Sequence, residues 1–537
     1  MKSHTKVILL VIVPCLLLSG CAQPDRWGIF EQSLEGQLDR EAALTVEIPE
    51  VPKPHLDHEQ AVTLPQEGPL ELSVEQTIMF SLKNNRDLQV TQMNPVIAGT
   101  FEQIERGVFD PEVFVELEYF KERAIEASRS TETQFSVEGS DTYAVAGVRQ
   151  MLPTGTEVEA TLEHERTDSN RTPKQNSARL GLSITQSLLR GFGPAVNLAS
   201  IRQAELNALA SVYELKGFTE ALLAETETAY WNFVLAKKEI EIFERSLEVA
   251  LKQREEVELR IEVGILPEIE AAAARAEVAR REQALIEAKS LLEERRLRLL
   301  RLINIGSDGR LDYQVIATSE PSVEPQPIKD LSDRLELAQK MRPDLNEAIL
   351  RLKQNRLETI ITRNGLLPKL DLFIALGKTG FAESFNESFR ALDDNTYDFT
   401  VGVRLSHFIG NRASGARDLA ARASQRQAEE ALANLKQIVR LDVMLAANEL
   451  ERARQQIFAS KTTRILQEET LKAEKERFDV GSSTTLLVAQ AQRDLLLSSI
   501  VEVKAIVNYR IALIGLYQAE GSLLERRGVS LPIGNIK

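Results

Sequence analysis

The sequence predicts an α+β chain in which long, coiled-coil-like helical hairpins are joined to transmembrane β-barrel strands. The programme is laid down twice, and symmetry must complete it. Three observations carry this. Two charged helical patterns, starting at Pro194 and near Arg412, each run for about 67 residues, some 100 Å at 1.5 Å per residue and far beyond a globular helix. Both end in the same phrase, Arg260-Ile-Glu-Val-Gly264 and Arg477-Phe-Asp-Val-Gly481, 217 positions apart. Finally, segments 112–120, 156–163 and 398–405 alternate apolar and polar residues with the period of two that suits a strand between lipid and water.

The first segment reads as an address. Lys2 and Lys6 precede an apolar run from Val7 to Leu18, too short to span a bilayer and right for a signal-peptide core. It ends in Leu18-Ser-Gly-Cys21, which resembles the lipobox of bacterial lipoproteins, so 1–20 is expected to be removed and Cys21 to carry lipid. Of the two cysteines the other, Cys15, lies inside the apolar run, so no internal disulfide can form after cleavage. Ala22 follows Cys21, where an Asp would favour retention at the inner membrane; outer-membrane lipid is the expected anchor surface.

Composition narrows the rest. The 537 residues are 43% hydrophobic and 27% charged, with a formal charge of −15, a balance that does not favour nucleic acid. With no apolar run of eighteen residues, any membrane crossing falls to a barrel.

Residues 21–70 form an extended leader in which Pro49, Pro52, Pro54, Pro65 and Pro69 deny long helices. His55-Leu-Asp57-His58 matches no standard metal spacing and is read as linker. A helix is expected from an N-cap at Ser73 to about Glu105. Strands follow at 112–120, 142–150, 156–163 and 179–188, with polar loops at about 121–140 and 165–176 and a short Leu152-Pro-Thr-Gly155 turn. Gly191-Phe-Gly193-Pro194 then starts the long helix. Its heptad-like stripe runs from Phe218 through Leu222, Glu225, Ala229, Phe233 and Ala236 to Ala250, in steps of mostly four and three. A second helix covers about 267–303.

A proline-rich stretch, 305–330, resets the chain between a first repeat (71–304) and a second (331–521), with a tail at 522–537. Arg342-Pro-Asp344-Leu345 answers Asn85-Arg-Asp87-Leu88; 367–375 answers the first strand; and the strand with Gly402 answers that with Gly181. Helices at about 412–478 and 484–519 complete the repeat. The first half is longer by about one hairpin, for which 142–163 is the candidate. Short helices taken in pairs match each long one, so each half supplies two struts. Four struts and six strands enclose little, and further copies must close the wall.

The ordered, doubled phrases resemble the TolC-like outer-membrane efflux factor family, in its lipoprotein branch. They are Gln186-Ser-Leu-Leu-Arg-Gly191, Ala229-Tyr-Trp231, the two Val-Gly turns and Ala519-Glu-Gly521-Ser-Leu-Leu524. The resemblance covers about 70–525. It implies a homotrimer with a barrel in the outer membrane and a helical tunnel across the periplasm, working with a periplasmic adaptor and an inner-membrane pump. It also implies that the tips at Val263, Gly264, Val480 and Gly481 dock the adaptor and close the duct at rest, with Glu262, Glu270 and Asp479 as aperture candidates. The family usually has four strands where six are read here. Its best-known channel has aspartates where this chain has Leu487 and Gln490.

Catalytic chemistry, a cofactor and a metal site are not expected: no phosphate loop, ligand cluster or Ser/His/Asp arrangement appears. The many helical Glu residues read as solvated surface. The function expected is therefore a passive exit duct of a tripartite efflux or type I secretion system; the alternative is a lipid-anchored periplasmic coiled-coil scaffold without a pore.

Overall fold

Apolar alternation and helical period are satisfied by two separate regions of the chain. The computed structural model describes residues 55–56, 69–127, 134–170, 173–305, 311–321 and 324–530. The chain divides into Met1–Glu50, which lies outside the described residues together with Cys21, and Val51–Lys537, which holds every element below.

Two short strands, β1 (His55–Leu56) and β2 (Leu70–Leu72), precede α1 (Val74–Asn84), α2 (Arg86–Thr91) and α3 (Met93–Arg106). Ser73 caps α1 in a full capping box, its hydroxyl accepting from Gln76 N–H while the Gln76 side chain accepts from Ser73 N–H. The single helix expected from Ser73 to Glu105 is thus three. Asn85 takes an extended conformation and its side chain accepts from Leu88 N–H, ending one helix and capping the next. The second repeat breaks at the matching place. Arg342 is extended ahead of Pro343, which disfavours the α conformation before it, and separates α6 (Leu331–Met341) from α7 (Pro343–Asn364).

The long helices are α4 (Ala199–Glu262) and α9 (Arg412–Asp479), of 64 and 68 residues, followed by α5 (Ile269–Ile303) and α10 (Thr485–Glu520). Between α5 and α6 lies β7 (Val315–Ala317), parallel to β2. Alongside α4, α3 flanks the first half through Arg106–Glu205 (3.1 Å) and α5 the second through Arg275–Glu258 (3.0 Å). The end of α5 is tied to the end of α1 by reciprocal bonds: Asn85 Nδ2 donates to Leu302 O (3.0 Å) and Asn304 Nδ2 to Asn84 O (2.9 Å). Asn304 and its counterpart Gly521 both adopt left-handed conformations as C-caps, and a Cβ at Gly521 would lie 2.9 Å from the Arg342 backbone. The doubled Asn85 and Arg342 motifs are therefore the places where a returning helix meets a broken one.

Around these junctions α4 is buried on nearly every side. Leu215, Leu223, Tyr230 and Trp231 pack with Leu70, Leu72, Leu88, Leu299, Leu300 and Ile303, and with Leu523 and Leu524 from beyond α10. Tyr230 Oη donates to Leu72 O and accepts from Ser319 N–H, both at 3.0 Å, satisfying a buried phenol. Glu225, expected in the packing stripe, is exposed, because contact proceeds through Leu222, Thr226 and Tyr230 on the i, i+4 row.

Not all helical carboxylates are solvated. Glu227 is fully buried and accepts two bonds, 2.7 and 2.6 Å, from Arg527. Glu520, equally buried, is held by Arg334 and Arg526. Glu220 is 3% exposed, and burial pushes its carboxyl up to about 8.

The strands form one antiparallel sheet in the order β3 (Glu112–Ala127), β4 (Gln134–Met151), β5 (Thr156–Ser169), β6 (Gln175–Ser187), β8 (Lys369–Ala382), β9 (Asp398–Ser406). All six expected strands are present, but they reach further. The loop expected at 121–140 shrinks because β3 runs to Ala127 and β4 begins at Gln134; pairing is a backbone property and continues where alternation has lapsed. Gly402, matched in sequence to Gly181, packs instead as Gly147 does. Phe373 lies across Gly402 under Arg404, and Phe114 across Gly147 under Arg149. The β8–β9 pair thus shares this packing with β3–β4, while β6, like β9, is the strand that leads into a long helix; the expected extra hairpin, 142–163, lies within the sheet as β4–β5. Residues Phe385–Arg390 form a short helix, α8, and Val529–Ser530 a last strand, β10, that pairs with β1.

Candidate functional site

Two surfaces stand out: the outward face of the sheet and the turns at the far ends of the long helices. Residues directly opposite one another share a face. The row Val113, Val148, Ala160, Leu182, Leu376, Phe399 therefore crosses all six strands as one apolar stripe. The neighbouring row on the other face is Glu112, Arg149, Glu159, Ser183, Ala375, Thr400. Arg149–Glu112 and Arg179–Asp398 pair there, each at 2.7 Å. Val113 and Leu117 are 74% and 70% exposed, and Phe399, Val401, Val403 and Leu405 of β9 are exposed as well. A sheet with one greasy face and one charged face suits lipid outside and water inside. Both outer strands, β3 and β9, end the sheet with an unpaired edge.

No helix among the described residues is long and apolar enough to cross a membrane, and no group of His, Cys, Asp and Glu among them is placed to hold a metal. His55 lies in β1; Asp57 and His58 are outside the described residues.

The tips are built alike. Gly264 and Gly481 each have φ +76°, where an L-residue would be strained. Gly264 N–H donates to Ile261 O (2.9 Å) and Ile265 N–H to Arg260 O (2.8 Å); Gly481 to Phe478 O (3.0 Å) and Ser482 to Arg477 O (2.8 Å) repeat the pattern. These paired bonds satisfy the last carbonyls of each long helix. Val263 and Val480 are then left 60% and 79% exposed, with Ile265 and Ile269 beside the first. Beneath them Val257, Ala274, Phe478 and Val488 pack together from all four helices.

Of the expected aperture carboxylates, Asp479 is engaged within the chain. Arg260 Nη2 donates to it at 2.8 Å and to Glu256 at 2.5 Å, while its guanidinium lies 4.8 Å from the centre of the Phe478 ring. The bond to Asp479 holds Arg260 above its ordinary range. Glu262 and Glu270 are not brought together with it and make no side-chain hydrogen bond or ion pair among the described residues. The doubled arginine is visible in the sequence, three residues before each Val-Gly, but the bond it makes across the tips is not.

A family model for outer membrane efflux proteins matches residues 139–304 and 335–522. Solved structures share the architecture. The outer-membrane channel OprN is 17% identical, aligning 84% of this chain with 90% of its own at a TM-score of 0.63. The Campylobacter jejuni CmeC outer membrane channel is 16% identical over 88% of this chain and 95% of its own, TM-score 0.60. The open state of the Neisseria gonorrhoeae MtrE outer membrane channel is 19% identical over 89% and 98%, TM-score 0.58. No curated protein sequence matches. At such identities the structures establish the fold, and the family model, covering more than half of the chain, establishes the lineage. The chain belongs to the outer membrane efflux protein family, whose members are transport proteins and not enzymes.

Proposed function

We propose that three copies of this chain form the exit duct of a tripartite efflux or type I secretion assembly, a passive conduit fed by an inner-membrane pump through a periplasmic adaptor. The observation that carries this is the apolar row across all six strands, ending at two unpaired edges. A scaffold without a pore has no use for such a face, whereas a barrel completed by neighbouring copies needs both the face and the edges. The long helices, about 100 Å each, supply reach away from the membrane. On this reading 1–20 is a lipoprotein signal and 21–70 a leader anchored through Cys21. Repeats at 71–304 and 331–521 flank the 305–330 segment, and 522–537 is a tail. Mass spectrometry of the mature N-terminus should find lipid on Cys21; an unmodified start elsewhere rejects the anchor.

The exposed apolar tips, with Val263-Gly264 and Val480-Gly481 at their ends, are the proposed adaptor-docking surface, six to a trimer. Replacing Val263 and Val480 with Glu should cut adaptor crosslinking about tenfold, equivalent to ~1.4 kcal/mol of lost contact. Trimer yield should be unchanged, since both side chains face solvent. Export that persists at wild-type rate in a normally assembled trimer would reduce the tips to structural turns.

A further inference from the structure

The two tips of one chain are joined by an ion pair that uses only half of what the repeat supplies. Arg260 of the first tip reaches Asp479 of the second at 2.8 Å. A shift of 217 positions maps Arg260 onto Arg477 and Glu262 onto Asp479. The link therefore takes its arginine from one repeat and its carboxylate from the other, and leaves the complementary pair, Arg477 and Glu262, unused. Glu262 is exposed, with no side-chain partner among the described residues. Among the described residues the Arg477 side chain binds only Glu474 on its own helix, at 3.1 Å, and is 60% exposed. Arg260 shows that one guanidinium can hold a carboxylate of its own helix and one across the tips together, having five donors to share.

We propose that Arg477 of each copy pairs with Glu262 of the next, closing the ring of tips with a set of ion pairs that no single chain contains. This rests on the trimer reading above. Around such a ring the tips alternate, first repeat then second. Each first-to-second step falls within a chain and each second-to-first step between chains. Because the repeats are alike, the two kinds of step are quasi-equivalent and call on corresponding residues. Glu262 is thereby a bond between copies and not a free carboxylate at the aperture.

The two seams are not equally strong. Where the step within a chain has Phe478 beneath the arginine, the step between chains has Ile261; where it has Val257 and Val488, the other has Glu474 and Ala271. The seam between copies loses the ring contact and apolar bulk, relies more on charge, and is the one that salt loosens first.

The test uses the full-length chain in detergent, its trimeric state established first by sedimentation. R477C/E262C treated with a short bifunctional thiol reagent should give covalently linked chains on a denaturing gel, up to the trimer. R260C/D479C should react within one chain and leave its mass class unchanged. Separately, R477E or E262R alone should speed trimer dissociation in urea about threefold, and the double swap should return it to the wild-type rate. A trimer in which R477C/E262C yields no linked chains, or in which the double swap restores nothing, overturns the pairing while leaving the trimer standing. A wild-type chain that sediments as a monomer overturns the trimer reading, and this one with it, before any variant is made.

Discussion

Arg527→Ala should destabilise the folded chain by about 3–5 kcal/mol, the usual consequence of removing one partner from a buried pair. Glu227, on the most enclosed stretch of α4, is fully buried and receives both bonds from Arg527 at 2.7 and 2.6 Å. Burial alone raises its carboxyl, and the arginine opposes that. Without Arg527 the carboxylate must take up a proton or draw in water. The same substitution releases the segment after α10, whose Leu523 and Leu524 are buried beside α4. Urea midpoints of refolded protein would measure the loss. The paired replacement Glu227→Met with Arg527→Met should recover most of it, since two apolar groups of similar length leave no uncompensated charge. If Arg527→Ala shifts the midpoint by no more than an exposed pair such as Lys252–Glu248 would, the pair is not a structural anchor.

Leu117→Arg should cost about 2–4 kcal/mol of insertion free energy if the residue sits near the bilayer midplane. Leu117 is 70% exposed on the apolar face of β3, opposite Ala144 and two residues from Val115. Val115→Arg should behave similarly. Glu116, between them, points to the charged face and should accept Arg with little effect. Folding into lipid vesicles, read by the heat-resistant band on a gel, compares all three. Equal tolerance would mean that the outward face does not meet lipid.

Much of this architecture was legible because membranes and long helices write strongly periodic sequence. The ends of the helical hairpins at the Val-Gly turns were placed to within two residues, since those turns need a left-handed residue at the end of an otherwise uninterrupted period. The long helix expected from Pro194 begins only at Ala199, after a separate short helix at Pro194–Asn197. The strands were visible only where alternation is enforced. Past Phe120 in β3 the sequence turns polar and reads as loop, although the backbone continues to pair as far as Ala127. The breaks at Asn85 and Arg342 were present as a doubled motif whose meaning needed the contact with Asn304 and Gly521. The buried carboxylates were not legible at all. A Glu on a helix looks the same whether it faces water or an arginine 300 residues away. At the tips, the residues were found and the arginine joining them was passed over, because a cross-tip bond has no one-dimensional signature.

In the proposed trimer the extra β4–β5 hairpin has a consequence for calibre. Three six-stranded sheets give eighteen staves where a four-stranded pattern gives twelve, and the diameter of a closed barrel grows roughly in proportion to their number. The mouth in the outer membrane is then about half as wide again. The hairpin adds nothing to the helices, which still number two long and two composite struts per chain. On the trimer reading the sheet is thus a flared vestibule, and sieving of cargo by size is left to the helical bore.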